Sequence, residues 1–203
     1  ATATISSLAT LPLRPEWPAQ RLFAQCADAL LASFKIQHVA TVGGNVCRSF
    51  AAASMVSLMA GLDAVAHIWC PDGTDRREPV ETFVTGQGTN TLAPGEVLRA
   101  MDIPARALNA RSGFRKIALA ELGRSGAVVT GRLDTDGHFV TGITAATLRP
   151  TILRYPTLPD AETLRRDIES ADGYYTDPLG SEDWRRAVSA VLAEQIRTEL
   201  TDV

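Results

Sequence analysis

The residues best placed to do chemistry are Thr41-Val42-Gly43-Gly44-Asn45. Adjacent glycines let a backbone take φ > 0 and come within hydrogen-bonding reach of a ligand. Their exposed N–H groups can form a concave nest for phosphate oxygens. The Thr41 hydroxyl and the Asn45 amide suit sugar-chain or pyrophosphate oxygens. A Gly-Gly pair taken alone is more often a plain turn. The segment is neither a GxGxxG fingerprint nor a Walker loop, so it gives no support to a Rossmann or P-loop fold.

The other reactive residue types are scattered. His38, His67 and His138 lie far apart with no HExxH motif beside them, which argues against a metal site. Cys26, Cys47 and Cys70 form no CxxC pair and are odd in number. That disfavours a disulfide framework and suits small side chains in a reducing compartment. Ser125, in Gly123-Arg124-Ser125-Gly126, is not a GxSxG nucleophile elbow, and Arg124 reads as facing a cofactor, a partner or solvent. No nucleophile or acid/base pair stands out.

Those residues need elements to hold them. Leu22, Phe23, Cys26, Ala27, Leu30, Leu31 and Phe34 recur at helical spacing, which predicts a helix over 19–34. Met55, Leu58, Met59 and Leu62 predict a second, short buried helix. Ala64 to Trp69 reads as a strand closed by Pro71-Asp72-Gly73, and Val97 to Ile103 as another ending at Pro104. Ala127 to Asp134 and His138 to Ala145 alternate around an Asp-Gly hairpin signal. Helices are expected over 161–170 and 182–200, the latter capped by Ser181. Ala105 to Ser112, polar and Ala/Arg-rich, reads as a boundary between two lobes. The overall expectation is α+β.

The chain of 203 residues is 45% hydrophobic and 21% charged, with a formal charge of −3. That balance offers no general attraction to nucleic acid or anionic lipid. No apolar run approaches the ~20 residues of a membrane-spanning helix. The start, Ala1-Thr2-Ala3-Thr4-Ile5, lacks a signal-peptide pattern and reads as a strand entered midway, as if numbering began inside a longer chain.

Three ordered stretches carry a family resemblance. Gln37 to Val46, then Ser49 to Ser54, then Leu58 to Ala64 resemble a run in the flavoproteins of the molybdenum hydroxylases. That family includes the medium subunit of carbon monoxide dehydrogenase and the FAD domain of xanthine dehydrogenase. Its usual pattern is Arg-Asn, Thr-Ile-Gly-Gly-Asn, Ala-Ser-Pro-Ala-Ala-Asp and Leu-Leu-Ala-Leu-Asp-Ala. Downstream, Phe83 to Gly86, Thr91 to Leu98, Ile103-Pro104 and Phe114 to Ile117 are similar to its later passages.

The resemblance implies the second subdomain of a vanillyl-alcohol-oxidase-type FAD-binding domain over 1–104. A small antiparallel sheet-plus-helices C-terminal domain would follow over 105–203. It implies FAD as cofactor, with Thr41, Gly43, Gly44 and Asn45 approaching it and Leu98 and Lys116 near the flavin. It also implies an electron-transfer role in the cytoplasm. The partners would be a molybdopterin-binding large subunit and a [2Fe-2S] small subunit, with NAD⁺, a quinone or oxygen as acceptor. The chain departs from the pattern at several places. Ser54 replaces the usual aspartate beside the flavin, Ala51 a proline, Arg48 a threonine, and Gln37-His38 the Arg-Asn pair. Arg48 is expected to offset the loss at Ser54 by pairing with the pyrophosphate. The pyrophosphate-clasping glycine loop of the family's first subdomain would lie ahead of residue 1, so the resemblance implies a site that is whole only in a longer chain. Two rival roles stay open at this stage, an FAD-free structural or assembly module and an independent oxidase.

Overall fold

The strand β7 (Ala127–Leu133) illustrates how the architecture is built. A strand with one solvated face alternates apolar and polar residues, yet Ala127 to Arg132 are all buried. Both faces must therefore be covered. The computed structural model describes residues 1–201. In chain order it contains α1 (Ile5–Ala9), α2 (Arg21–Ala29), α3 (Phe34–Val39), α4 (Val42–Arg48), α5 (Ser54–Gly61), β1 (Val65–Trp69) and β2 (Asp75–Pro79). There follow α6 (Val80–Phe83), β3 (Val84–Gly86), β4 (Thr89–Asn90), β5 (Val97–Asp102), α7 (Ala105–Leu108) and β6 (Arg111–Ile117). The chain ends with β7 (Ala127–Leu133), β8 (Phe139–Thr144), β9 (Thr151–Tyr155), α8 (Ala161–Glu169) and α9 (Glu182–Thr201).

Three antiparallel sheets result: β2-β1-β5, β3-β4, and the meander β6-β7-β8-β9. The meander carries α9 on one face, where Ala127, Val129, Phe139 and Ile143 join Ile196 and Leu200 in a core. The other face receives α5. Contact there is close because small residues meet. A Cβ placed on Gly61 would lie 2.5 Å from Thr130 Oγ1, and one on Gly142 2.9 Å from the same atom. Ser57 and Thr144 share a hydrogen bond across this junction at 2.5 Å. A second core gathers α1, α2, α4, α5 and the β1 sheet around Leu22, Met55, Leu58, Ile68 and Phe83.

Several expectations are corrected. The 19–34 helix breaks after Ala29, where Leu30 takes ψ 121°. Leu31 and Phe34 are then 61% and 69% exposed instead of extending a core face. The start is not a strand: Thr4 caps α1 by accepting from Ser7 N at 3.1 Å. Residues 105–112 are not polar throughout, since Ala107 and Leu108 are buried in the first core and β6 begins at Arg111. The helices of 161–170 and 182–200 and the 127–145 hairpin appear as expected.

The Pro94-Gly95-Glu96 turn has a structural role. Glu96 accepts from Arg76 Nε and Nη2 at 2.9 and 2.8 Å and from Ala93 N at 2.8 Å. The Arg76 hydrogen bond, then that of Ala93, lowers its carboxyl from 4.5 to about 2. A depressed carboxyl stabilises fully above its unfolded pKa and loses that contribution as pH falls through its folded one. The stability gap between wild type and Glu96→Gln should therefore be constant above pH 4.5 and close toward about 2. Denaturant unfolding at a series of pH values checks this. A gap unchanged at pH about 2 would contradict it.

Candidate functional site

Thr41 to Asn45 is the first turn of α4 and not an open loop. Thr41 is its N-cap, with Oγ1 accepting from Gly44 N at 3.0 Å. Gly43 N donates to Ala1 O and Asn45 N to Thr41 O, each at 2.9 Å. The expected nest of phosphate-binding amides is thus absent at Gly43 and Gly44, because both N–H groups are used inside the chain. Glycine is required by close approach: a Cβ on Gly43 would lie 2.5 Å from Ala1 Cβ, and one on Gly44 2.8 Å from Thr41 Oγ1. Asn45 bridges two elements. Its Oδ1 accepts from Met55 N at 3.0 Å, capping α5, whose own N-cap residue Ala53 makes no side-chain hydrogen bond.

Asn45 also lines a cavity of about 280 Å³ with Ala29, Leu30, Leu31, Phe50, Ala52, Ala53, Gln87, Arg124 and Ser125. A second cavity, of about 620 Å³, is walled by Leu30 and Leu31 as well, and by Asp28, Ile36, Gln37, Lys116, Glu121 and Leu122 among others. The broken helix is the shared wall. Residues Leu30 and Leu31 leave the core periodicity and present apolar side chains to both cavities. Asn45 of α4 thus lines one of the two adjoining cavities and Lys116 of β6 the other, from positions far apart in sequence.

The remaining expected site residues fall in three places. Ser54, the first residue of α5, is buried, and its Oγ has no hydrogen-bond partner. It follows directly on Ala52 and Ala53 of the cavity wall. Arg48 is exposed and lies over the Phe50 ring, 4.7 Å from its centroid, at the rim of the smaller cavity. Leu98 is 7% exposed in the first core on β5 and lines neither cavity. Cys26 is buried, while Cys47 and Cys70 are half-buried; burial pushes the Cys26 and Cys47 thiols up, away from reactivity. No cluster of metal-ligating residues occurs among the described residues.

Sequence reasoning missed Gln87, Phe50 and the cavity role of Leu30 and Leu31. Gln87 sits in the β3–β4 turn, and its Oε1 accepts from Ala51 N at 2.6 Å. Asn90 Nδ2 donates to Cys47 O at 2.8 Å, and Gly88 N to Ser49 O at 2.8 Å. The hairpin thus holds the 47–53 segment in place. The one available signal was the Gly-Gln-Gly tripeptide, which reads simply as a turn.

Residues 1–106 match the family model described as "FAD binding domain in molybdopterin dehydrogenase". The chain belongs to this family. FAD is accordingly its cofactor. No curated protein matches the chain. Among solved structures, reconstituted CO dehydrogenase from Oligotropha carboxidovorans is similar at 19% identity and TM-score 0.82, over 95% of this chain and 71% of that one. Quinoline 2-oxidoreductase from Pseudomonas putida 86 gives 19% and 0.79 over 97% and 71%. Carbon monoxide dehydrogenase from Hydrogenophaga pseudoflava gives 16% and 0.80 over 97% and 71%. At these identities the likeness establishes a shared fold, which agrees with the α+β expectation. As a molybdopterin dehydrogenase FAD domain, the chain has a site that fits its cofactor. Two apolar-walled cavities carry a few convergent amide and cationic groups, the usual make-up of a cofactor site. The orphaned Ser54 hydroxyl is the kind of buried polar atom that a ligand or a water satisfies.

Proposed function

We propose that this chain is the FAD-holding electron-transfer subunit of a molybdopterin-dependent dehydrogenase or hydroxylase. The observation that carries the proposal is the pair of cavities that share Leu30 and Leu31, one lined by Asn45 and the other by Lys116. Bound there, FAD supplies electron exchange between [2Fe-2S] clusters and an acceptor such as NAD⁺, a quinone or oxygen. The chain's own residues bind and orient it. Thr41, Gly43 and Gly44 set the position of α4, and Asn45 offers its amide. Arg48 and Lys116 contribute positive charge, and Ser54 a hydroxyl where the family pattern carries a carboxylate. Leu98 supports the site from the core of β5. We assign residues 1–104 to the FAD-binding unit and 105–203 to the C-terminal domain. The partners are a molybdopterin-binding large subunit and a [2Fe-2S] small subunit. No helix among the described residues is long and apolar enough to cross a membrane.

Asn45 separates binding from folding. Asn45→Ala removes both the cap on Met55 N and the amide, so stability should fall by about 1 kcal/mol and the FAD dissociation constant rise about tenfold. Asn45→Asp restores an acceptor at the start of α5 but not an amide donor. It should recover the stability and leave FAD binding weak. Urea unfolding and FAD titration of the three proteins read the two effects separately. Equal FAD affinity in all three would remove Asn45 from the site. A wild-type protein that FAD cannot titrate would instead overturn the cofactor assignment and leave the structural-module reading.

A further inference from the structure

We infer that Phe50 is the aromatic wall against which the flavin ring stacks, with Arg48 clamped on the outer face of its phenyl group. The inference rests on the FAD reading of the two cavities. It concerns two residues at which this chain differs from the family pattern, where a serine and a threonine are usual. Phe50 is 42% exposed. It lines the smaller cavity together with Leu30, Leu31, Arg124 and Ser125.

The main chain around the ring is fixed from three directions. Ser49 takes the left-handed conformation at φ 50°, and its hydroxyl donates to Val46 O at 2.9 Å. Gly88 N donates to Ser49 O at 2.8 Å, and Ala51 N to Gln87 Oε1 at 2.6 Å. Ala145 N, from the end of the meander's central hairpin, donates to Ala51 O at 2.8 Å. A ring whose backbone is this constrained loses little freedom when a ligand arrives, which is the condition for tight stacking. Arg48, 4.7 Å from the ring centroid, covers one side and restricts the side chain further.

The cavity chemistry selects which ring of FAD it takes. Its aliphatic part, Ala29, Leu30, Leu31, Ala52 and Ala53, suits a dimethylbenzene edge. Asn45, Gln87 and Ser125 offer donors and acceptors for a pyrimidine edge carrying alternating C=O and N–H groups. The isoalloxazine has both edges, whereas adenine has no apolar one.

The test uses the full-length natural protein and FAD, in wild type, Phe50→Leu and Phe50→Trp. Phe50→Leu keeps the apolar bulk and loses the π-face, so the FAD dissociation constant should rise about threefold to tenfold, with an unchanged melting temperature. Phe50→Trp should bind FAD at least as tightly as wild type. An indole in contact with isoalloxazine quenches its emission by electron transfer, so the emission of bound flavin should fall to a small fraction of the wild-type value. A merely structural role for Phe50 would not move that emission. Unchanged emission in Phe50→Trp, including the outcome in which adenine occupies the cavity, overturns the inference while leaving FAD binding by the wild type intact. Absence of FAD binding by the wild type overturns the cofactor site itself, and this wall with it.

Discussion

Replacing Arg132 with methionine is expected to lower the unfolding free energy by about 3–5 kcal/mol, the scale for stripping one partner from a buried ion pair. Arg132 sits on β7 and is 2% exposed. Its Nε donates to Asp134 Oδ1 at 2.8 Å, its Nη1 to Gly61 O at 2.8 Å, and its Nη2 to Asp63. Asp63 lies two residues past the end of α5 and also accepts from Arg106 and Arg154 at 2.8 and 2.9 Å. Burial opposes ionisation of Asp63, but Arg132 and then Arg154 hold its carboxyl below the usual range. Methionine fills the volume and leaves the charge of Asp134 and the Gly61 carbonyl without their donor. Removing Asp134 as well, in Arg132→Met with Asp134→Leu, should recover much of the loss, since deleting both members of a buried pair is far less costly than deleting one. The Asp63 contribution is present above its ordinary pKa and lost as pH falls through the lowered one, so the gap to wild type should narrow in acid. Urea unfolding measures it. A loss below about 1 kcal/mol, the scale of an exposed pair, would sink this account.

Arg132 also shows what the sequence could and could not reveal. The hairpin of β7 and β8 was legible because its alternation and Asp-Gly turn are local signals. That the polar-looking face of β7 is buried was not legible, because Thr130 and Arg132 face α5, an element from the other half of the chain. Strand β6 was hidden for a related reason. Its small residue Gly113 lies under α9, where a Cβ would come 2.7 Å from Ile196 Cγ2, so of the residue types that announce a strand it carries only Phe114 and Ile117. Strand β9 went unread between Pro150 and Pro156, being half-buried at the meander's edge.

The site itself was legible in its motifs and illegible in its geometry. The order of short motifs identified the family, and Asn45 and Lys116 do line the two cavities. Yet apolar periodicity cannot separate a core from a cavity wall, so Leu30 and Leu31 were read as the end of a helix face. The reach of a hydrogen bond from Gln87 to Ala51, 36 residues away, leaves no local trace at either end.

Arg185 supplies the second large effect, and there stability and cofactor binding should move together. This arginine of α9 is fully buried. Its Nη1 donates to Gly126 O and Ala145 O at 2.6 and 2.5 Å, its Nη2 to Asp177 Oδ1 at 2.5 Å, and its guanidinium lies 4.2 Å from the Tyr175 ring centroid. Gly126 directly follows Arg124 and Ser125 of the cavity wall, and Ala145 donates its N–H to Ala51 next to Phe50. One side chain thus anchors the backbone beside two segments that line the smaller cavity, Arg124–Ser125 and Phe50–Ala53. Arg185→Met leaves the Gly126 carbonyl without a donor and takes the charge partner from Asp177, although Leu179 N still donates to Asp177 and Tyr175 O–H to Ala145 O; a loss of about 3–5 kcal/mol is expected. Arg185→Lys should recover little, since a point charge on a flexible stem cannot reach the four acceptors Gly126 O, Ala145 O, Gly180 O and Asp177 at once. Both variants should also bind FAD more weakly under conditions where they remain folded, because the Arg124–Ser125 turn and the Phe50 loop lose their common anchor. Unfolding curves and FAD titration at low temperature distinguish the two consequences. If Arg185→Met proved unstable yet bound FAD with wild-type affinity, the cavity walls would have to be held by the β3–β4 hairpin alone, through Gln87, Gly88 and Asn90.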